Sequence, residues 1–400
     1  MTKEQQILLE LMSVAIGTKD AVTLPEQLDW RVLFREAHVQ TVMPLCVDAL
    51  TPHRSKIPAD LAEKAAYVAR KVTASNAAVE YARCNLVAFL EEEQERYVIL
   101  KGEAAAAYYP KPELRHLGDV DFMVPRNRVE PTVEKLKARG FAHSCEEDDY
   151  HQVLFKEGEN LEIHLEPAGM PSDEKRGLIE SFLESLYKDP RVVQTPSGAF
   201  CAPAHAHHGL ILLLHMQHHM WGQGLGLRHI MDWACYVHQT ADCAFWTQQL
   251  LPLLEEVGLR FYGAVLTKMC SLYLGTACPP WASNAPEKLC RQLMEDSIAG
   301  GNFGRKDKDR RRSTNMLPRQ KQEEEYGKVR LLWKTLRQST VAHHPKLEKR
   351  PIRRFLYMSM KVLRFGLLRL FGKRTSIIKA ADCADQRRAV YEKLQIFETK

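Results

Sequence analysis

The chain has 400 residues, 45% of them hydrophobic and 26% charged, and a net charge of +6. This composition excludes global disorder and is sufficient for two or three domains with buried cores. No apolar run reaches the roughly 20 residues of a membrane-spanning helix, and no export signal opens the chain. The ten cysteines are scattered without a Cys-x-x-Cys pair, so we expect a reduced, cytoplasmic protein and no zinc ribbon.

The N-terminal region, residues 1–96, is predicted to be helical. Leu8 and Leu11 belong to an apolar stripe near its start. The stretch 60–91 consists of good helix formers with almost no Pro or Gly, which indicates one long helix.

The stretch 97–124 is the most informative part of the chain. A strand predicted over 97–100 ends at Lys101-Gly102, and an alanine-rich, helix-forming segment follows. The stretch closes on Gly118-Asp119-Val120-Asp121 and an apolar strand predicted over 120–124. This order of strand, glycine, helix and acid-bearing strand favours a site that holds a metal and a phosphate-bearing ligand.

Asp119 and Asp121 lie two residues apart on a strand, so their side chains point to the same side. Two carboxylates that close repel each other unless a cation lies between them. Hard divalent cations such as Mg²⁺ or Mn²⁺ bind carboxylate oxygens together with substrate phosphates. The pair therefore predicts a divalent-metal site. The alternative is a solvated strand end, which is the commoner setting of an isolated Asp-x-Asp.

Phosphate-binding groups are expected beside this pair. Gly102 directly follows a strand and lets the backbone approach a bulky ligand such as a triphosphate. The N-terminus of the next helix would direct free N–H groups at that ligand. Arg115, four residues before Asp119, would add a fork of donors for phosphate.

A third acid, Glu162, belongs to a second predicted strand. Polar and apolar residues alternate over 160–166, which is typical of a half-buried strand. That strand follows 150–156 through a turn-prone segment, so a hairpin is predicted. If the hairpin lies beside the Asp119 strand, Glu162 completes a three-carboxylate cluster, which can hold two metals for in-line phosphoryl chemistry.

The motifs in this region resemble those of a known family. In order, they are Lys101-Gly102-Glu103-Ala104, Tyr109-Pro110-Lys111-Pro112, Arg115, Gly118-Asp119-Val120-Asp121 and Glu162-Ile163-His164. They resemble the uncharacterised nucleotidyltransferase family of the polymerase-β-like superfamily, and the likeness extends over about 30–305, through 226–233 and 301–304. The chain departs from the wider superfamily where Glu103 replaces a small residue, and in the long gap between that position and Asp119.

The resemblance implies transfer of a nucleoside monophosphate from an NTP such as ATP to a hydroxyl acceptor, with release of pyrophosphate. It implies a Mg²⁺ or Mn²⁺ cofactor held by three catalytic carboxylates, those of Asp119, Asp121 and Glu162. The implied nucleotide-binding residues are Lys101, Gly102, Arg115, Gly118 and His164. The acceptor is open among a small molecule such as a sugar, a peptide, RNA and a protein. The alternative is a non-catalytic nucleotide- or RNA-binding protein of the same fold.

Six histidines crowd the region of a helix predicted over 206–221: His205, His207, His208, His215, His218 and His219. Three of them, at positions 208, 215 and 219, fall on one helical face and could bind zinc. We favour the alternative, in which they line the cleft against the catalytic domain or are ordinary core and surface histidines. Further helices are predicted over 227–238, from near 242, and over 250–274. Arg228 and Asp232, one turn apart, are expected to pair with each other, at a domain contact or on a helix surface.

The basic character of the chain belongs to its last quarter. Residues 305–400 contain 27 Lys and Arg against 10 Asp and Glu, a net of +17, which leaves about −11 for the rest. The run 305–312 is predicted to be a basic linker. In 355–372, Lys361, Arg364 and Arg369 leave a broad apolar face. That face suits packing on the protein body, which we favour, or contact with a partner or peripherally with a membrane.

Taken together, these patterns predict an α+β fold. A small mixed-sheet nucleotidyltransferase domain, 97–202, is expected between an N-terminal helical region, 1–96, and a helical substrate-side domain, 203–304. A basic helical tail, 305–400, follows. Within the α/β part, a further helix is predicted over 129–139.

Overall fold

A computed structural model of the protein describes residues 1–144, 150–171, 173–222, 224–306, 351–370 and 377–396, with single residues described between 330 and 350. It has an α+β fold, in which helices surround a five-stranded mixed sheet and a separate two-stranded hairpin. The predicted fold class is therefore confirmed at this level.

The N-terminal region is helical, as predicted. Its first helices begin at good caps, because the Thr2 hydroxyl and the Asp29 carboxylate accept hydrogen bonds from the free N–H groups of α1 and α2. The long helix expected over 60–91 is present as α4. The bounds are α1 Lys3–Ala15, α2 Trp30–Val39, α3 Met43–Ala49 and α4 Ala59–Glu92.

The main sheet has the order β1-β2-β5-β4-β3. Only β2 and β5 run parallel, and the other neighbouring strands are antiparallel. Two helices lie along the chain between its strands. The bounds are β1 Val98–Ile99, α5 Glu103–Ala106, β2 Val120–Met123, α6 Val129–Ala138, β3 Ala142–His143, β4 His151–Lys156 and β5 Glu159–His164.

The predicted hairpin is β4–β5. Its turn residues Glu157 and Gly158 both have positive φ, 45° and 90°, which matches a tight turn to the twist of the two strands. The hairpin places β5 beside β2 in a register that sets Glu162 directly opposite Asp121. Because β2 and β5 are parallel, the acid-bearing positions of the two strands lie side by side.

The second half of the described chain is mostly helical. The helix expected over 250–274 is wrong as a single element, because Gly258 adopts φ 78° and divides it. The helix expected from near 242 begins later, with the turn Trp246–Leu250, and the hairpin β6–β7 was not predicted. The bounds are α7 Lys175–Leu183, β6 Arg191–Thr195, β7 Gly198–Ala202, α8 His205–Trp221, α9 Leu227–Thr240, α10 Leu251–Glu256, α11 Arg260–Leu274, α12 Pro280–Ser283 and α13 Glu287–Gly300.

Two helices are described in the C-terminal tail, α14 Pro351–Leu370 and α15 Ile377–Lys393. Phe355, Leu356 and Met360 of α14 are exposed by 57% or more, whereas Met358 is buried, so packing of the apolar face on the protein body stays a prediction. The side chains of 363–381, and the basic linker beyond 306, lie outside the described residues. Arg387 ties α15 to the end of α8 by donating to the carbonyls of Met220 and Gly222.

The two largest hydrophobic cores of the described residues contact different halves of the long helix α4. One joins α1–α3 to the helices α8–α11 and α13. The other lies between the main sheet, α6 and the second half of α4. The N-terminal and C-terminal helices therefore share a core, and the domain boundaries at 96, 202 and 304 stay predictions. Within the described residues, no helix combines the length and the apolar character needed to cross a membrane.

Candidate active site

The three predicted carboxylates converge at one end of the main sheet. Asp121 and Glu162 face each other across β2 and β5. One oxygen of each lies, with a ring nitrogen of His164, in a group whose atoms are all within 4.8 Å of one another. Asp119, at the start of β2, hydrogen-bonds with the Glu162 carboxylate. The side chains proposed from the sequence as metal ligands are thus neighbours in space.

The crowding of these acids shifts their pKa values. Burial, and then repulsion by Asp121 and the hydrogen bond with Glu162, raises the pKa of Asp119 to about 8. Burial also acts to raise the pKa of Asp121 and Glu162, but nearby cationic and hydrogen-bonding groups outweigh it. The pKa of both therefore lies below its ordinary value. Burial and the neighbouring acids therefore act most strongly against the ionised form of Asp119.

Lys101 and His164 hold Asp121 from two sides. The Lys101 ammonium lies 2.8 Å from Oδ1 of Asp121, and Nε2 of His164 lies 2.8 Å from the same atom. Lys101 and the three carboxylates line a common cavity. His164 is only 1% exposed and is absent from the cavity wall. The ring therefore lies behind the carboxylates, and contact of His164 with a nucleotide, expected from the sequence, stays a prediction.

The two predicted glycines, Gly102 and Gly118, both line the cavity. Gly102 adopts φ 52° at the start of α5, a conformation that side chains rarely take. Gly118 faces open space, since an added Cβ would meet nothing within 4 Å. Glu103, the departure from the superfamily pattern, turns away to an ion pair with Arg83 at 2.8 Å. Its acidic side chain therefore leaves the region in front of Gly102 clear.

Arg115 and Arg228 have partners other than those that the sequence suggested, although both line the cavity. Arg115, expected to bind phosphate, donates from Nε and Nη2 to both oxygens of Asp232, at 2.9 and 2.7 Å. Asp232 is therefore the partner of Arg115, and the pair expected between Arg228 and Asp232 is wrong. Arg228 donates instead to the carbonyl of His116 at 3.3 Å. Among the described residues, the Nε atom of Arg228 is buried without a hydrogen-bond partner.

Arg228 and the carboxylates share one cavity of about 330 Å³, a size that suits a small-molecule ligand. Burial, and then the charge of Arg115, lowers the pKa of Arg228 to about 10, so it stays charged at neutral pH. One wall of the cavity comes from the sheet and the other from α8, α9 and Phe303. Wall residues that the sequence did not single out as ligand-binding include Tyr150, His151, Arg228, His229 and Phe303. The motifs at 226–233 and 301–304 were the signal that could have identified the last three.

The histidines divide into two groups. His208 packs beside Tyr108, and its Nδ1 lies 3.3 Å from the tyrosine hydroxyl. His215 and His219 instead line the cavity, where His229 of α9 joins them. Burial is the largest cause that holds the pKa of His215, His219 and His229 well below the usual value of a histidine. The three rings are therefore neutral at neutral pH. The predicted helical face of 208, 215 and 219 is therefore not one cluster.

Comparison with known families assigns the chain. Residues 26–275 match the model of a family described as uncharacterised nucleotidyltransferase, and the chain belongs to this family. It is therefore a nucleotidyltransferase whose acceptor is unknown. The matched segment contains the three carboxylates, Lys101 and Arg228, so the whole site described above lies inside it except Phe303. A comparison with curated proteins finds no match.

Proposed function

We propose that the protein transfers a nucleoside monophosphate from an NTP, ATP being our first choice, to a hydroxyl acceptor and releases pyrophosphate, in a divalent-metal-dependent reaction. The convergence of Asp119, Asp121 and Glu162 at one end of the cavity carries this proposal. Arg228 supports it, because a buried guanidinium with an unused donor suits the negative charge of a polyphosphate.

The acidic cluster fits Mg²⁺ or Mn²⁺. Its donors are carboxylate oxygens, which hard divalent cations prefer. Burial, and then repulsion by Asp121, raises the pKa of Asp119, and a divalent cation bound among these acids would relieve that repulsion. Asp119, Asp121 and Glu162 would hold the metal. When bound, it would neutralise phosphate charge and make the acceptor hydroxyl more acidic.

The chain's own groups position the reactants. Lys101 and Arg228 place two cations on the cavity wall, where they can bind the polyphosphate of the NTP. Gly118 leaves room for that group to approach the carboxylates. Glu162 has a lowered pKa and is ionised at neutral pH, so its carboxylate can accept the proton of the acceptor hydroxyl. Catalysis would then consist mostly of positioning and charge neutralisation.

The test is transfer of label from an α-labelled NTP by Asp119→Asn and Asp121→Asn variants. Each variant keeps the side-chain shape but removes a charge, so we expect label transfer to fall at least about 100-fold while the circular dichroism spectrum is unchanged. Asp242→Asn is the matched control, because Asp242 is exposed and distant in sequence from the cluster. Undiminished transfer by both site variants would refute the assignment.

The acceptor is to be found by the same chemistry. Host extract incubated with the protein and each NTP in turn should contain a product heavier by one nucleoside monophosphate, seen by mass spectrometry. The Asp121→Asn variant serves as the blank. A product that appears equally with the variant does not come from this site, and then the proposed activity is wrong for that acceptor.

A further inference from the structure

Three of the histidines that line the cavity form a cluster that nucleotidyl transfer does not require. One ring nitrogen from each of His215, His219 and His229 lies within 4.8 Å of the others. The first two come from successive turns of α8, and the third comes from α9. Nε2 of His219 lies 2.9 Å from Nε2 of His215. At this distance the two nitrogens share a proton in a hydrogen bond, and the same two donors could bind a metal ion in place of that proton.

His229 supplies an independent observation. It is 3% exposed, and among the described residues its Nε2 atom is buried without a hydrogen-bond partner. Such an atom is costly to bury unless something binds it. The other ring nitrogen, Nδ1, is 3.4 Å from the amide nitrogen of Gly226, which is beyond the usual range of a hydrogen bond. When Nε2 binds a metal, the ring proton sits on Nδ1, which then no longer accepts from the Gly226 amide. Because that contact is weak, its loss costs little.

Phe303 closes one side of the cluster. Its ring centroid lies 5.0 Å from that of His219 and 5.4 Å from that of His229. It sits there because its own backbone takes φ 53°, an uncommon conformation for a bulky side chain. The cluster is therefore a sheltered group of neutral imidazoles on a cavity wall, a setting that suits a borderline metal ion better than Mg²⁺.

We propose that His215, His219 and His229 bind one Zn²⁺ ion, separately from the metal held by the carboxylates. Three histidines with a fourth position left to water or a ligand are a common zinc arrangement. Since the cluster lines the same cavity as Asp121, a ligand oxygen in that cavity could complete the coordination. The inference does not depend on the proposed transfer reaction. It concerns imidazole donors only, and it is tested by measuring Zn²⁺ binding without any nucleotide.

The experiment measures Zn²⁺ binding by the full-length protein after chelator treatment, in competition with a chromophoric chelator. We expect one tightly bound Zn²⁺ per chain, and Co²⁺ in its place should give the strong visible absorption of four-coordinate cobalt. His219→Ala and His229→Ala should each weaken Zn²⁺ binding by at least about 100-fold. His238→Ala, an exposed histidine of α9, is the matched control and should bind as the wild type does.

A second variant separates the two metal groups. The double variant Asp119→Asn/Asp121→Asn removes two of the carboxylate ligands and should keep its Zn²⁺, although it should lose nucleotidyl transfer. The proposal is overturned if Zn²⁺ does not bind stoichiometrically, if binding survives in both His219→Ala and His229→Ala with native circular dichroism, or if the double Asp variant alone abolishes it. Zinc binding without any transfer activity would instead refute only the proposed function.

Discussion

At the scale of single residues, the site depends on which arginine has a carboxylate partner. Arg115 and Asp232 are both 4% exposed and form a bidentate ion pair, which Tyr109 reinforces by donating to the same carboxylate at 2.8 Å. With Asp232 so occupied, Arg228 is left as a charged group on the cavity wall. The two arginines should therefore respond differently to the same substitution.

We expect Arg228→Gln to weaken NTP binding by about 10- to 100-fold, because a charge-assisted hydrogen bond is worth about 1.5–3 kcal/mol. The thermal midpoint should change little. Arg115→Gln leaves a buried Asp232 uncompensated and should lower the free energy of unfolding by about 3–5 kcal/mol. Isothermal titration with a non-hydrolysable NTP and thermal unfolding measure the two effects.

Arg70→Gln, at an exposed position of α4, is the control for both measurements. Equal NTP affinity of Arg228→Gln and the wild type would show that Arg228 is not a phosphate ligand.

These residues also mark the limit of prediction from sequence. The acids were identified because alternation along a strand fixes which side they occupy. The arginine pairing depends on how α9 packs against the segment before β2, and no local pattern encodes that packing.

At the scale of elements, strong local signals were predicted well and weak ones were not. The strand β2, the hairpin β4–β5 and the helices α4, α6 and α8 follow periodicity and turn chemistry. The break at Gly258 was missed because isolated glycines are often tolerated within helices. The short hairpin β6–β7 was missed because its two strands are recognised by their pairing with each other, and their composition alone does not indicate strands.

The helix α14 leads to a separate expectation. An apolar stripe on α14 is exposed by 57–76% and follows a helical spacing: Ile352, Phe355, Leu356 and Met360. Residues 305–400, which contain α14, carry a net charge of +17. An apolar stripe within a basic segment suits the surface of an anionic membrane. We expect the full-length protein to float with anionic vesicles and a 1–350 truncation to stay in solution.

A double variant, Phe355→Asp/Leu356→Asp, should also lose flotation, because two charges interrupt the stripe. Tyr81→Asp, at a 64% exposed position of α4, is the matched control for adding charge at an exposed aromatic or apolar site. Flotation of the truncation to the same extent as the full chain would exclude α14 as the contact. Flotation on neutral vesicles as strong as on anionic ones would exclude the electrostatic part of the explanation.

At the scale of the whole molecule, the order of elements along the chain differs from their grouping in space. Leu8 and Leu11 of α1 are fully buried in the same core as Trp233 of α9 and Val265 of α11. The helices before the sheet therefore complete the core of the helices after it. Sequence composition could not indicate this, since each segment simply has an apolar face and no pattern specifies which other face covers it.

A substitution in α1 should accordingly weaken helices far away in the sequence. We expect Leu11→Ala to lower the free energy of unfolding by about 2–5 kcal/mol, because it opens a cavity in the shared core, and to speed amide hydrogen exchange in α9 and α11 as well as in α1. Leu272→Ala, at a 44% exposed position of α11, is the control and should cost much less. Faster exchange confined to residues before α4 would mean that the N-terminal helices fold independently. In that case their burial against α11 would contribute little to holding the α8 and α9 wall of the cavity opposite the carboxylates.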